Sequence, residues 1–146
     1  MKKTFGFALV LLLIAAFTLP VYAADETDQS VLSQDSIMKP AYTAIMSMAA
    51  GLSIDSLGKA SCGGTVFPNN DTYTAYLTIS LQKQTGSTWQ QLTSWSSSGV
   101  GMGGVLLDGS YYVEHGTYRV CSAAFIYSAQ GSLLESALYY SPIKTY

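Results

Sequence analysis

The sequence predicts an all-β fold, an antiparallel β-sandwich of about seven to eight strands with immunoglobulin-like architecture and its topology left open. Three observations predict it. The run Tyr73-Thr74-Ala75-Tyr76-Leu77-Thr78-Ile79-Ser80-Leu81 alternates in the period of a strand with one buried face. Turn signals built from Gly, Pro and Asn recur at roughly 8–12-residue spacing. Only 11% of residues are charged against 49% hydrophobic, so outward positions carry Ser, Thr, Gln and Tyr in place of Lys and Glu. A balance of seven basic against nine acidic residues excludes a basic nucleic-acid binder, a charged disordered tail and a coiled coil.

Residues 1–23 read as a signal peptide. Lys2 and Lys3 precede the apolar run Phe5 to Leu19, Pro20 ends it, and Val21-Tyr22-Ala23 places small residues at the −3 and −1 positions of a cleavage site. The apolar run is shorter than the roughly 20 residues a span needs, so a secreted, extracellular protein with no transmembrane span in its mature form is expected. Removal of this segment leaves five basic and nine acidic groups, and four of the acids (Asp25, Glu26, Asp28, Asp35) fall early in the stretch 24–40. That stretch reads as an acidic flexible leader. Residues 41–146, with four basic and five acidic residues, are the expected sandwich domain.

Along that domain, Tyr42 to Ala50 has helix-favouring Ala and Met, yet the surrounding rhythm favours a first strand. Leu52 and Ile54 alternate before a turn at Leu57-Gly58, and Lys59 to Phe67 forms the next strand, closed by Pro68-Asn69-Asn70-Asp71. Tyr73 to Leu81 and Trp89 to Trp95 form a hairpin across Lys83 to Thr88. Gly99 to Gly104 is loose. Val105 to Val113 is expected to be interrupted at Asp108-Gly109, Thr117 to Tyr127 is a long strand after the His115-Gly116 turn, and Leu133 to Tyr140 closes the domain.

Cys62 and Cys121 are the only cysteines, and an even count in an exported chain favours a disulfide. Closing that loop would stabilise by about 4 kcal/mol in the chain-entropy model. Against it, Tyr118, Val120, Ala124 and Ile126 share one strand face, which leaves Cys121 on the other with Arg119 unless a bulge intervenes. A bond and two separate thiols both remain open.

Leu52-Ser53-Ile54, Gly58-Lys59-Ala60-Ser61-Cys62, Leu81-Gln82-Lys83, Trp89, Ser94-Trp95, Gly116-Thr117-Tyr118-Arg119-Val120 and Glu135 follow in order. So ordered, they resemble an uncharacterised family of small secreted proteins of Gram-positive gut bacteria, over about Tyr42 to Tyr146. The resemblance implies a small all-β secreted domain and brings no catalytic residues with it. Cys121 departs from that pattern, where other polar residues are common. A looser likeness is to immunoglobulin-type sandwiches, although Tyr118 stands three residues before Cys121 where the tyrosine of those domains stands two before its cysteine.

Candidate chemistry is sparse. His115 with Glu114 lacks the strand–elbow–helix context of a nucleophilic triad. Asp108, Glu114 and Glu135 are the acids available for a glycosidase pair, the basis of an alternative reading as a small secreted hydrolase. Gly99-Val100-Gly101-Met102-Gly103-Gly104 has the form of a dinucleotide loop without the βαβ unit that gives it meaning. Two cysteines and one histidine do not make a four-ligand metal set, so no cofactor or metal is expected. Asn70-Asp71-Thr72 marks an exposed loop. The aromatics remain. Trp89 and Trp95 are an even number apart and share a face if their strand is regular, with Leu92 on the other. If Leu92 faces the core, both indoles join Tyr76 and Tyr111 as ligand-facing groups suited to a cell-surface glycan or protein; if Leu92 is exposed, Trp89 and Trp95 pack the core instead, as large apolar groups usually do. The expected function is a secreted, non-catalytic binding or surface-associated module. A structural or self-associating extracellular protein is a further alternative, suggested by low charge and edge strands.

Overall fold

The computed structural model describes residues 41–146; the expected signal peptide and acidic leader lie outside the described residues. Eight strands follow in order: β1 (Ile45–Ile54), β2 (Lys59–Pro68), β3 (Thr74–Thr85), β4 (Thr88–Val100), β5 (Val105–Tyr112), β6 (Thr117–Tyr127), β7 (Leu133–Tyr140) and the short β8 (Lys144–Thr145). The segment with mixed helix and strand character is a strand. Ile45, Met48 and Leu52 are buried along it, while Ser47, Ala49, Gly51 and Ser53 face outward. Ala and Met propensity yields here to the pairing that β2 offers along its whole length.

All pairings are antiparallel. One sheet has the order β1-β2-β5 and the other β4-β3-β6-β7, with β8 also paired to β6. Lettered as in immunoglobulin domains, sheet ABE faces sheet C′CFG, with the fourth strand beside the third. The all-β sandwich expected from the sequence is therefore what the chain forms, and its topology is now defined. Among the described residues no helix is long and apolar enough to cross a membrane.

The core lies between the sheets. Ala60, Cys62 and Val66 of β2 meet Leu77, Ile79 and Leu81 of β3 and Val120, Ala124 and Ile126 of β6 in one buried cluster. Burying such side chains supplies about 1.5–3 kcal/mol each. Tyr118 is buried at the start of β6, and its hydroxyl donates to the Glu114 carbonyl at 2.6 Å, which pins the β5–β6 corner.

One glycine feature differs from expectation and another is given its purpose. β5 runs unbroken through Asp108-Gly109. Gly109 does not interrupt the strand; it makes room, since a Cβ there would overlap the indole of Trp95 from the facing sheet. The Gly99–Gly104 string is the connection that carries the chain from one sheet to the other. Gly101 (φ 84°) and Gly104 (φ 67°) occupy left-handed conformations, and a Cβ on Gly104 would strike the Val66 carbonyl and the Phe67 ring. The string is spent on backbone geometry.

The Cys62–Cys121 disulfide is not formed; both thiols are free. The reason is register. Cys62 faces the core beside Ala60 and Val66, whereas Cys121 alternates with the inward-facing Val120 and Ser122 and so lies on the outer side of the four-stranded sheet. No bulge displaces β6 at that point, because its pairing with β3 is continuous from Thr74↔Tyr127 to Lys83↔Tyr118. The sheet itself stands between the two sulfurs.

Candidate functional site

The outer surface of the four-stranded sheet gathers most of the distinctive side chains. Strands β3, β4 and β6 contain no acidic residue, and Glu135, the one acid of β7, pairs with the inward-facing Ile126 and points inward. Cross-strand rows define this face. Ser94, Ser80, Cys121 and Tyr140 form one row, and Ser96, Thr78, Ala123 and Leu138 the next. Thr78 and Ser96 hydrogen-bond through their hydroxyls at 2.8 Å. The middle of the face is thus flat and hydroxyl-bearing.

Aromatic groups bound it at both ends. At one end Tyr76 is half exposed, pairs with Phe125 across the β3–β6 ladder, and meets Tyr127 edge-on with ring centroids 5.4 Å apart. An open depression of about 390 Å³ lined by Thr74, Tyr76, Tyr127 and Ser128 adjoins them. At the other end the guanidinium of Arg119 lies between two rings, 4.2 Å from the Trp89 centroid and 4.1 Å from that of Tyr140. Its Nε donates to Gln82 Oε1 at 2.8 Å. Phe125 lies six steps along β6 from Arg119, so the two ends stand about 20 Å apart at strand rise.

This arrangement corrects the tryptophan reading. Trp89 and Trp95 do not share a face, because β4 is not regular: its pairing with β3 shifts between Leu81 and Gln82, from Leu81↔Thr93 to Gln82↔Gln91. Leu92 is the extra residue, a β-bulge that inverts the parity of everything before it. Trp95, opposite buried Ile79, packs inward over Gly109, and Leu92 also packs against the core. Trp89 is turned outward onto Arg119. Tyr111 does not join this face either; it pairs with Ala60 in the other sheet, at the end of β5, where it is exposed. Of the four aromatics singled out from sequence, Trp89 and Tyr76 come to one surface. Arg119, Tyr140 and Phe125 complete it and were missed. The available signal was the charged Arg119 in mid-strand on the outward parity of Cys121.

The acids are dispersed. Asp108 lies on the outer side of the three-stranded sheet, opposite Gly63. Glu114 precedes β6 in the corner loop, and His115 stacks on Tyr146 with centroids 4.6 Å apart. Glu135 is occupied elsewhere: its carboxylate accepts the backbone N–H groups of Thr43 (3.1 Å), Ala44 (2.7 Å) and Ile45 (2.9 Å). Asp108 and Glu135 therefore stand in different sheets and do not flank a common cleft. Among the described residues no three His, Cys, Asp or Glu side chains converge as metal ligands.

Burial pushes the Cys62 thiol up from 9.0 to about 11, the behaviour of a core side chain. Tyr42, whose buried hydroxyl has no partner, is also pushed up, first by desolvation and then by the Glu135 charge.

Fold and face together define an immunoglobulin-like β-sandwich with an aromatic-ended, acid-free sheet surface. No protein-family model and no curated protein matches the chain. The resemblance drawn above rests on its ordered motifs alone.

Proposed function

We propose that the protein is an exported, non-catalytic recognition module that holds an extracellular ligand on the outer face of its four-stranded sheet. One observation carries this reading: Trp89, Tyr140, Tyr76 and Phe125 are collected on one hydroxyl-bearing surface on which no acid of the described residues lies. Large rings left at a flat surface offer apolar area with little side-chain entropy to lose, the property that makes them anchors for sugar rings or protein partners. Export is supported by the pattern of residues 1–23.

Glycan-array and cell-wall pull-down measurements on the wild type and on a Trp89→Ala/Tyr140→Ala variant test it. Binding that the double change weakens at least tenfold is expected. Absence of binding to every surface, or binding indifferent to both rings, would overturn the reading.

A second reading, self-association, draws on the sheet edges. Strand β4 carries no charge, and β7 exposes Leu133, Leu134 and Leu138 with its only acid turned inward. Unprotected edges of this kind pair with a second copy. Solution scattering over a concentration series would detect it as a rising mass, and a constant monomer mass would refute it.

A further inference from the structure

The outer-face reading is sharpened by one residue. The geometry points to an anionic glycan as the ligand, its acidic group read by Arg119; this rests on the recognition reading above. Among the described residues Arg119 is the only charged side chain on that face. The strands β3, β4 and β6 hold no acid at all, and Glu135 of β7 is satisfied by backbone amides on the other side of the sheet. The only side-chain hydrogen bond of Arg119 among the described residues is from Nε to Gln82.

The guanidinium is nevertheless fixed in place. Trp89 and Tyr140 clamp its two flat sides at 4.2 and 4.1 Å, and Gln82 holds its Nε edge. What remains is the Nη fork, four N–H donors in one plane. These donors are not buried orphans: among the described residues the only buried polar side-chain atom without a partner is the Tyr42 hydroxyl. The fork of half-buried Arg119 therefore keeps some contact with solvent, while the two rings and Gln82 restrict its rotamers. Such a preorganised fork matches the two oxygens of a carboxylate or sulfate in a bidentate pair.

The surroundings favour an anion as well. Lys83 and Lys144 pair with inward-facing Tyr118, Lys83 with its Nζ 5.8 Å from that ring, so they lie on the other side of the sheet and Arg119 alone sets the charge of the outer face among the described residues. Asp55 is spent on the Leu57 and Lys59 amides of its own turn. In the adjoining rows Ser80 is buried, but the exposed Ser94 and the hydrogen-bonded Thr78–Ser96 pair present hydroxyls of the kind sugar hydroxyls use.

The test uses affinity electrophoresis of the secreted protein against polygalacturonate and its carboxyl-reduced polymer, and against dextran sulfate and dextran. Retention by at least one charged polymer, at least tenfold above its neutral partner and weakened by salt, is expected. Whether carboxylate or sulfate is the group follows from which pair shows the difference. Arg119→Gln should lose that retention tenfold while keeping the wild-type circular dichroism and thermal midpoint. If that variant does not fold, the charged–neutral comparison on wild-type protein decides alone, and Arg119→Lys reports whether the fork or only the charge is needed. Equal retention by neutral polymers that Trp89→Ala abolishes would overturn the anion and leave the binding face standing. Capture of acidic peptides with no polymer retained would overturn the glycan. No retention of any kind, by any variant, would overturn the anionic-glycan inference together with the reading beneath it.

Discussion

Glu135 should behave as a structural latch, and its removal should cost about 2–3 kcal/mol. Its carboxylate accepts three successive backbone N–H groups at the start of β1, and two of the donors belong to residues almost wholly buried, Ala44 at 4% and Ile45 at 3% exposure. In Glu135→Ala those two donors either stay buried without partners, at about 1–3 kcal/mol each, or the segment lets go and water reaches them. Letting go exposes Ile45, worth about 1.5–3 kcal/mol, and strains the bonds from Asn69 to the Ala44 and Thr43 carbonyls. The cheaper route sets the loss, which gives the figure above. Glu135→Gln keeps an acceptor oxygen but not the charge, and about half the effect is expected of it. Urea unfolding with an unchanged slope would measure both. Hydrogen exchange at Ala44 and Ile45 would separate local release from global loss. A Glu135→Ala protein within about 0.5 kcal/mol of wild type would refute the latch and return this acid to the pool of candidate functional groups.

Four further outcomes are expected. Gly109→Ala should destabilise by about 1–3 kcal/mol because its methyl overlaps Trp95, and most of that loss should vanish in a Trp95→Leu background; additive losses in thermal unfolding would disprove the contact. Tyr118→Phe should cost about 1 kcal/mol through the 2.6 Å bond to Glu114, read from the urea midpoint. The intact mass without reductant should equal that after reduction, since a chain lighter by two hydrogen atoms would contradict the placement of Cys62 and Cys121 on opposite sides of a sheet. The buried thiol also sets a pH dependence. Its folded value is raised, so its contribution is fully present below pH 9.0 and is lost as pH rises toward about 11, by about 2–3 kcal/mol. Cys62→Ala should flatten that part of the stability curve.

The strands were legible wherever side-chain alternation and turn residues agreed. Thr117 to Tyr127 and Leu133 to Tyr140 form as read, and the hairpin of β3 and β4 differs mainly in length. The parity argument at Cys121 was legible too, and it anticipated the free thiols better than the even cysteine count did. What escaped was information held by a partner strand. Gly109 reads as a breaker until the Trp95 ring that covers it is known. Glu135 reads as an available acid until the amides of Thr43, Ala44 and Ile45 are brought to it from about ninety residues away. Arg119 was visible as an outward charge, but of its two ring partners Tyr140 comes from the neighbouring β7 and Trp89 from β4, one strand further on across β3.

The bulge at Leu92 links these threads. A sheet residue has two sides to choose from, and one inserted residue exchanges them for every position beyond it. With regular pairing, Trp89 would have shared the inward side with Trp95, and Arg119 would have faced only Tyr140. With the bulge, one indole fills the core above Gly109 and the other closes the clamp around the guanidinium. The same strand therefore supplies both the sandwich and its outer surface, and Leu92 divides the two roles. Arg119 is fixed only because Trp89 was turned outward, so the recognition reading of this face stands or falls with that inversion and not with the aromatic content of the chain.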